Sequence, residues 1–245
     1  MEYIAELLKS EGSRLGLVLE AEQVRQFGLY LVQLKEWNNK FNLTAITTDE
    51  EIIIKHFIDS LACLLAIPQV LSLAPVKLLD IGSGAGFPGV PLKIYRPQLK
   101  LTLLEASQKK AGFLQHLCRE LNLAEAEVLL GRAEEYGAKN EWREKYNLVV
   151  ARAVDTLAVL AEYALPFLKA GGIFMAQKGP DIKAELQQSL AAIKVLGGEI
   201  KEVKEYKLTV RGETLKRTLV VMEKVGVTPA KYPRRPGTPK KSPIK

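Results

Sequence analysis

From Leu78 to Leu92 the chain reads LLDIGSGAGFPGVPL. Four glycines (Gly82, Gly84, Gly86 and Gly89) stand within eight residues, directly after an apolar run of strand length and before a helix-compatible one. Glycine opens left-handed backbone conformations and lets a ligand approach the main chain. In open α/β sheets ligands lie beyond the carboxyl ends of the strands, so this turn is expected to hold one. The dinucleotide fingerprint G-x-G-x-x-G is out of register: counted from Gly82 its third glycine falls on Phe87, and counted from Gly84 it begins two residues late. Asp80, expected at the mouth of the loop, repels a phosphate and attracts a cation. Glu105 closes the next strand, 23 residues after Gly82, where an acidic side chain accepts from ribose hydroxyls.

Glu105 suits either a dinucleotide or another adenosine compound. Asp80 and the glycine spacing favour S-adenosylmethionine, which carries an ammonium and a sulfonium and no phosphate. The third strand ends in Gly131-Arg132-Ala133-Glu134, a loop expected along the adenine, with Ala133 offering backbone groups to the base edge. Glu134 reads two ways: as an acceptor for the adenine amino group, or as an acid in the first turn of a helix, where the helix dipole favours it. Phe87 is either a lid on the ligand or a core anchor for the following helix.

The tip of the fourth strand, Asn147 to Ala153, should face the methyl acceptor. It lacks the Asn/Asp-Pro-Pro-aromatic stretch of enzymes that methylate exocyclic amines. Neither cysteine lies near a strand tip, as methylation at pyrimidine carbon requires. What remains is an acceptor that is already nucleophilic, such as the N7 of guanine, whose transfer needs mostly positioning. No general base is assigned. Arg152 is a candidate to hold the cofactor carboxylate or a substrate phosphate, and Lys178 to contact RNA phosphate or polarise guanine O6.

These residues need a frame. Residues 21–37 place Val24, Phe27, Leu31 and Leu34 on one helical face. Thr48 with Glu51 reads as a capping box opening a helix over roughly 49–66. Strand-length apolar runs follow at 76–81, 100–105, 127–130, 147–151 and 173–177, separated by helical stretches near 88–96, 107–122, 154–168 and 180–196. Strands alternating with helices predict a parallel sheet covered on both faces. Residues 200–210 and 215–224 predict an antiparallel hairpin joined by Arg211-Gly212-Glu213-Thr214. We therefore expect an α/β, Rossmann-like class I S-adenosylmethionine-dependent methyltransferase fold with a mostly parallel seven-stranded sheet. Its expected parts are a helical extension (1–70), a methyltransferase domain (71–224) and a basic tail (225–245).

The composition, 47% hydrophobic and 26% charged over 245 residues, is that of a globular chain. No run approaches the roughly 18 apolar residues of a membrane span, and the start lacks the order of a signal peptide, so a cytoplasmic protein without a membrane partner is expected. Nothing points to an obligate partner, and a monomer is expected. Cys63 and Cys118 lack metal-ligand spacing and read as buried free thiols, and the two histidines are too scattered for a zinc site; no metal is assigned. The net charge of +7 is concentrated at the end: residues 225–245 hold six basic residues and no acid. Five prolines there should prevent helix, leaving an extended cationic tail suited to a polyanion. Arg234, Arg235, Lys240 and Lys241, with Lys178, are the candidate RNA contacts.

The stretches WNNKFNLTAI (37–46), KHFIDSL (55–61), LLDIGSGAGFPGVPLKI (78–94), LLEASQKKAGFL (103–114), GRAEE (131–135), ARAV (151–154), AQKG (176–179) and YPRRPGTPKKSPI (232–244) together resemble the bacterial 16S ribosomal RNA guanine-N7 methyltransferase family, also called glucose-inhibited division protein B. The resemblance spans nearly the whole chain. It implies a cytoplasmic enzyme that uses S-adenosyl-L-methionine on one guanine of 16S rRNA, as naked RNA or in the 30S subunit. It carries cofactor contacts onto Gly82, Phe87, Glu105, Ala106, Ser107, Ala133, Glu134 and Arg152, to which the loop itself adds Asp80 and Gly84. Asn42, His56 and Asp59 recur in the family's stretches but are not assigned to the site.

Overall fold

A computed structural model describes residues 2–66, 75–152 and 155–245. The boundary expected at 70/71 and the start of the helix expected at 154 lie outside the described residues. Among those described, the first layer is helical. α1 (Glu2–Arg14) is followed by α2 (Ala21–Phe41), which buries Phe27, Tyr30, Leu31 and Leu34 on one stripe. It ends at Asn42, whose φ of 49° is left-handed and whose N–H returns to the Asn38 carbonyl, an αL stop. The last helical residue, Phe41, lies four residues beyond the expected 37.

Thr48 takes the N-cap position of α3 (Asp49–Ile52), but its hydroxyl donates to Glu51 Oε2 (2.8 Å) and caps no backbone amide. The helix then widens into a π-helical turn (Ile53–Ile58) before the short α4 (Asp59–Leu61) and a 3-10 turn (Ala62–Ala66). One residue more per turn brings His56 and Asp59 toward the sheet while Ile53, Ile54, Phe57 and Ile58 stay buried. Such turns recur at functional sites.

The strands are β1 (Lys77–Ile81), β2 (Lys100–Glu105), β3 (Ala126–Leu130), β4 (Tyr146–Arg152), β5 (Leu168–Lys178), β6 (Gly198–Val210) and β7 (Glu213–Lys224). Between them run α5 (Gly89–Tyr95), α6 (Gln108–Glu120), α7 (Ala133–Gly137), α8 (Leu157–Ala164) and α9 (Lys183–Val195). The seven strands lie in the order β3-β2-β1-β4-β5-β7-β6, parallel except for β7 against both β5 and β6. The order reverses between β1 and β4, the switch point at which α/β sheets open a crevice.

Side chains alternate along β1 as the pleat requires. Leu78 joins the core shared with α2, the π-turn, α5 and α6, while Leu79 and Ile81 join the opposite core with α8 and α9. The helical start thus packs directly on one face of the sheet. The hairpin turn is tighter than expected. Val210 pairs with Glu213, so only Arg211 and Gly212 turn, both at positive φ (50° and 79°), as type I′ geometry demands.

The tail departs most from expectation. Thr228, Pro233 and Pro239 are buried against the body, and Thr238–Lys241 forms a short helix, α10, with Pro239 in its first turn. Proline is excluded from helix interiors but tolerated there, where its missing N–H has no partner to lose. Cys63 is buried as expected, while Cys118 is only half-buried. No helix among the described residues is long and apolar enough to cross a membrane.

Candidate active site

β1 delivers the chain into the glycine turn at the switch point. The Gly82 and Ser83 amides both donate to the Leu104 carbonyl (2.8 and 3.2 Å), folding the loop over the end of β2. Two glycines are required by close approach. A Cβ on Gly86 would stand 2.5 Å from Tyr30 Oη, and one on Gly89 would stand 2.8 Å from Asp80 Oδ2.

Asp80 is not at the mouth of the loop. It lies fully buried beneath it, where Oδ2 accepts from the Gly89 amide (2.9 Å). A side chain on β1 points into a layer, not past the strand end, and Asp80 points at α5. Its Oδ1 has no partner, and burial pushes its carboxyl up to about 7 against the pull of the Gly89 amide. Glu105 bridges two loops: Oε2 accepts from the Gly84 amide and Oε1 from the Ser107 amide, both at 2.8 Å. Each oxygen keeps a lone pair for a further donor.

Beyond β1, β2 and β3 lies a cavity of about 190 Å³ lined by Gly82, Ala106, Ala133, Glu134, Asp155 and Lys240 among others. Gly82, Ala106, Ala133 and Glu134 were expected here; Asp155 and Lys240 were not expected as pocket residues. Glu134 has a partner that neither reading foresaw: its Oε1 accepts from the backbone amide of Gly237 in the tail (2.9 Å). Carboxylates at Glu134 and Asp155, an unpaired oxygen on Asp80 under the loop and two bridged oxygens on Glu105 fit a cationic adenosine compound such as S-adenosylmethionine. They do not suit a pyrophosphate.

A second opening, of about 360 Å³, lies between the helical layer and the ends of β4 and β5. Lys55, His56, Asp59, Arg152, Gln177, Lys178 and Arg217 line it together with Ile46 and Gly179. Arg152 turns toward the helical layer, donating to the Lys55 carbonyl (3.2 Å), Asp59 Oδ2 (3.3 Å) and His56 Nδ1 (3.2 Å). Its guanidinium sits 4.7 Å from the centre of the Phe87 ring. Phe87 itself is buried, stacked between His56 (4.5 Å) and Tyr30 (5.4 Å), so it fastens the glycine loop to the helical layer. Lys178 Nζ donates to the Asp155 carbonyl and pairs with Glu185, each at 2.8 Å.

Asp59 is the centre of this cleft. It accepts from Tyr206 (2.6 Å) and faces Arg152 and, at 3.7 Å, Arg217, while the Gln177 amide donates to its backbone carbonyl (2.6 Å). Burial, and then the negative charge of Asp59, push the Tyr206 hydroxyl far up, so that group stays a donor. Burial and the Arg152 guanidinium hold the His56 imidazole down at about 3. Nδ1 faces both the Arg152 guanidinium (3.2 Å) and the Lys55 carbonyl (3.1 Å), and Nε2 lies 2.9 Å from Thr44 Oγ1. Sequence reasoning left His56 and Asp59 unassigned and did not reach Gln177, Tyr206 or Arg217. The available signal was a histidine and an acid inside the otherwise apolar run IIIKHFIDSL, since unpaired charges are rarely buried.

Of the candidate RNA contacts in the tail, Arg235 and Lys241 are exposed. Arg234 is instead held by Glu162 through bonds of 2.6 to 3.1 Å, and Lys240 pairs with Asp155 at 3.3 Å.

The strand order, the glycine turn at its switch point and an acidic cavity beside a cation-lined cleft define a Rossmann-like class I methyltransferase. The family described as rRNA small subunit methyltransferase G (GidB) matches residues 23–215, and the chain belongs to it. It is 49% identical over 239 residues to the ribosomal RNA small subunit methyltransferase G of Alkaliphilus metalliredigens, covering 98% of each chain. It is 48% identical over 244 residues to that of Pelotomaculum thermopropionicum, covering 100% of each. Among solved structures, the crystal structure of TrmN from Thermus thermophilus aligns with a TM-score of 0.51 at 14% identity, over 71% of this chain and 53% of that one, a likeness of fold.

Proposed function

We propose that this enzyme transfers a methyl group from S-adenosylmethionine to the N7 of one guanine in 16S ribosomal RNA, in the cytoplasm and as a monomer. The observation that carries the acceptor is the cleft at β4 and β5, where Lys55, Arg152, Lys178 and Arg217 surround a space beside the glycine loop. Four cations suit a nucleotide and its phosphates.

Each group there with basic character is already engaged. His56 has both ring nitrogens bonded, and the Asp59 carboxylate serves Tyr206 and two arginines. An acceptor nitrogen with a free lone pair needs no proton removed, and guanine N7 is one. When bound, S-adenosylmethionine supplies an electrophilic methyl group on a cationic sulfur. The chain's part is then positional. Glu105 and the 131–134 loop hold the adenosine half, the glycine turn brings backbone close to the methionine half, and Arg152 and Lys178 orient the acceptor. Alignment of this kind supplies much of the rate of a bimolecular transfer.

The test is incubation with labelled S-adenosylmethionine and 30S subunits from a strain lacking the modification, followed by nuclease digestion and nucleoside mass analysis. 7-Methylguanosine is expected; label in any other nucleoside refutes the acceptor assignment. Sedimentation of the free enzyme tests the monomer.

A further inference from the structure

The tail crosses the cofactor cavity, and its attachments weaken along the way. Arg143 gathers the carbonyls of Thr228 (2.6 Å) and Tyr232 (2.8 Å). Next, Arg234 meets Glu162, whose side chain is 1% exposed; a carboxylate so buried needs its partner, and breaking such a pair is strongly destabilising. Beyond this point the contacts change in kind. The Gly237 amide donates to Glu134, and Lys240, 70% exposed, pairs with Asp155. An exposed pair of this sort contributes little alone. Both carboxylates line the 190 Å³ cavity, as does Lys240. An ion-pair anchor at 234 thus precedes a smaller latch at 237–240, closed by one amide bond to the buried Glu134, by the buried Pro239 and by one exposed ion pair, and fastened to the walls of the pocket.

We propose that residues 237–241 are a wall of the cofactor site, docked over the adenosine half, and that docking of this wall and binding of the cofactor stabilise each other. The segment expected from sequence to be an extended cationic tail suited to a polyanion is then part of the small-molecule site, and the cofactor enters when the latch lifts. Coupling between two binding events is reciprocal: a bound cofactor holds the wall down, and loss of the wall weakens the cofactor by the same factor.

This rests on the cofactor reading, and the experiment separates the two. S-adenosylhomocysteine is titrated calorimetrically into four proteins: the full chain, a chain lacking 236–245 (which keeps Arg234 on Glu162), Lys240→Glu and Lys245→Glu. Binding to the full chain is expected; its absence refutes the cofactor reading itself. The truncation should weaken binding by about tenfold or more, within the usual range of coupling. Lys240→Glu sets like charges at the latch and should weaken binding by roughly threefold, the scale of an exposed pair. Lys245→Glu makes the same charge change off the cavity and should stay within about twofold.

In the full chain, saturating S-adenosylhomocysteine should slow tryptic cleavage after Lys240 and Lys241. This readout does not depend on whether the truncated chain folds. If the full chain binds but its tail is cut at an unchanged rate, or if the folded truncation and Lys240→Glu both bind like the full chain, the wall is refuted and the cofactor reading stands.

Discussion

Beyond β1–β3 the cavity is walled by backbone and by acids, Glu134 and Asp155, with Glu105 tying its loops together. Beyond β4–β5, one strand away, the cleft is walled by Lys55, Arg152, Lys178 and Arg217; the two arginines face the buried carboxylate of Asp59, while Lys55 pairs with Glu51 and Lys178 with Glu185. The first side suits a small cation, the second a polyanion. The two sides also differ in how they are held. The acidic side is fixed by main-chain amides, whereas at the centre of the cationic side Arg152, Arg217 and Tyr206 share one buried acid. The acidic side should therefore lose affinity when a carboxylate changes and keep its shape. The cationic side should lose its shape when Asp59 changes.

The largest effect expected from this contrast is Asp59→Ala. It leaves Arg152 facing no carboxylate and removes the acceptor from Tyr206. Removing one partner of a buried pair costs about 3–5 kcal/mol, read as a lower midpoint in urea. A midpoint within error of the parent would show that the cleft does not depend on its central acid. Next comes Glu105→Gln, which turns two charge-assisted bonds from the Gly84 and Ser107 amides into one acceptor and one mismatch. A hydrogen bond to a charged group contributes about 1.5–3 kcal/mol, so affinity for S-adenosylhomocysteine should fall by roughly ten- to a hundredfold. RNA affinity should hold. If RNA affinity falls in parallel, the two sides are not separable.

A smaller effect opposes one group from each side. His56 titrates at about 3 in the fold against 6.5 for the free imidazole. Between those values the unfolded chain holds one proton more, so stability rises with pH. Asp80 titrates at about 7 against 3.8; between those values the folded chain holds one proton more, so stability falls with pH. The slopes, each about 1.4 kcal/mol per pH unit, cancel where they overlap, from about 4 to 6.5. His56→Gln should therefore expose a stability that declines as pH rises through that window, and Asp80→Asn one that increases. Urea midpoints at four or five pH values measure both. Equal slopes in the two variants would remove these groups as the opposing pair.

The acidic side was largely legible in the sequence and the cationic side was not, for a reason of chain geometry. Gly82 to Gly89, Glu105 to Ser107 and Gly131 to Glu134 are three short segments, each at the end of its own strand. A strand-length apolar run followed by turn residues therefore locates them all. Asp80 was found but misplaced, because the pleat decides which layer a strand residue enters and the motif does not. The cleft instead draws on residues 55–59, 152, 177, 206 and 217, brought together by a π-turn that helical periodicity does not announce and by the long hairpin β6–β7. The short helix of the tail was illegible for a third reason. Proline content describes what the backbone does alone, whereas Glu162, Glu134 and Arg143, each unremarkable in its own helix or loop, are what hold the tail down.

The smallest effect is the one that distinguishes the two sides most directly. Arg217 reaches the cleft from β7, its side chain 27% exposed and 3.7 Å from Asp59. Asp59 keeps Arg152 and Tyr206 when Arg217 is removed, so Arg217→Ala should leave the fold and the cofactor affinity as they are. If Arg217 meets one phosphate of a single-stranded segment, its loss lowers the slope of log affinity against log salt by about 0.7. The loss of affinity itself should then be modest near physiological salt and should grow as salt is lowered. The same salt series run with S-adenosylhomocysteine in place of RNA should show no such difference, since neither the ligand nor its cavity involves Arg217. A reduced slope for RNA with an unchanged one for the small molecule assigns the polyanion to the β4–β5 side. An unchanged slope for both takes Arg217 out of the RNA interface and leaves Lys55 and Lys178 as the cations to test there.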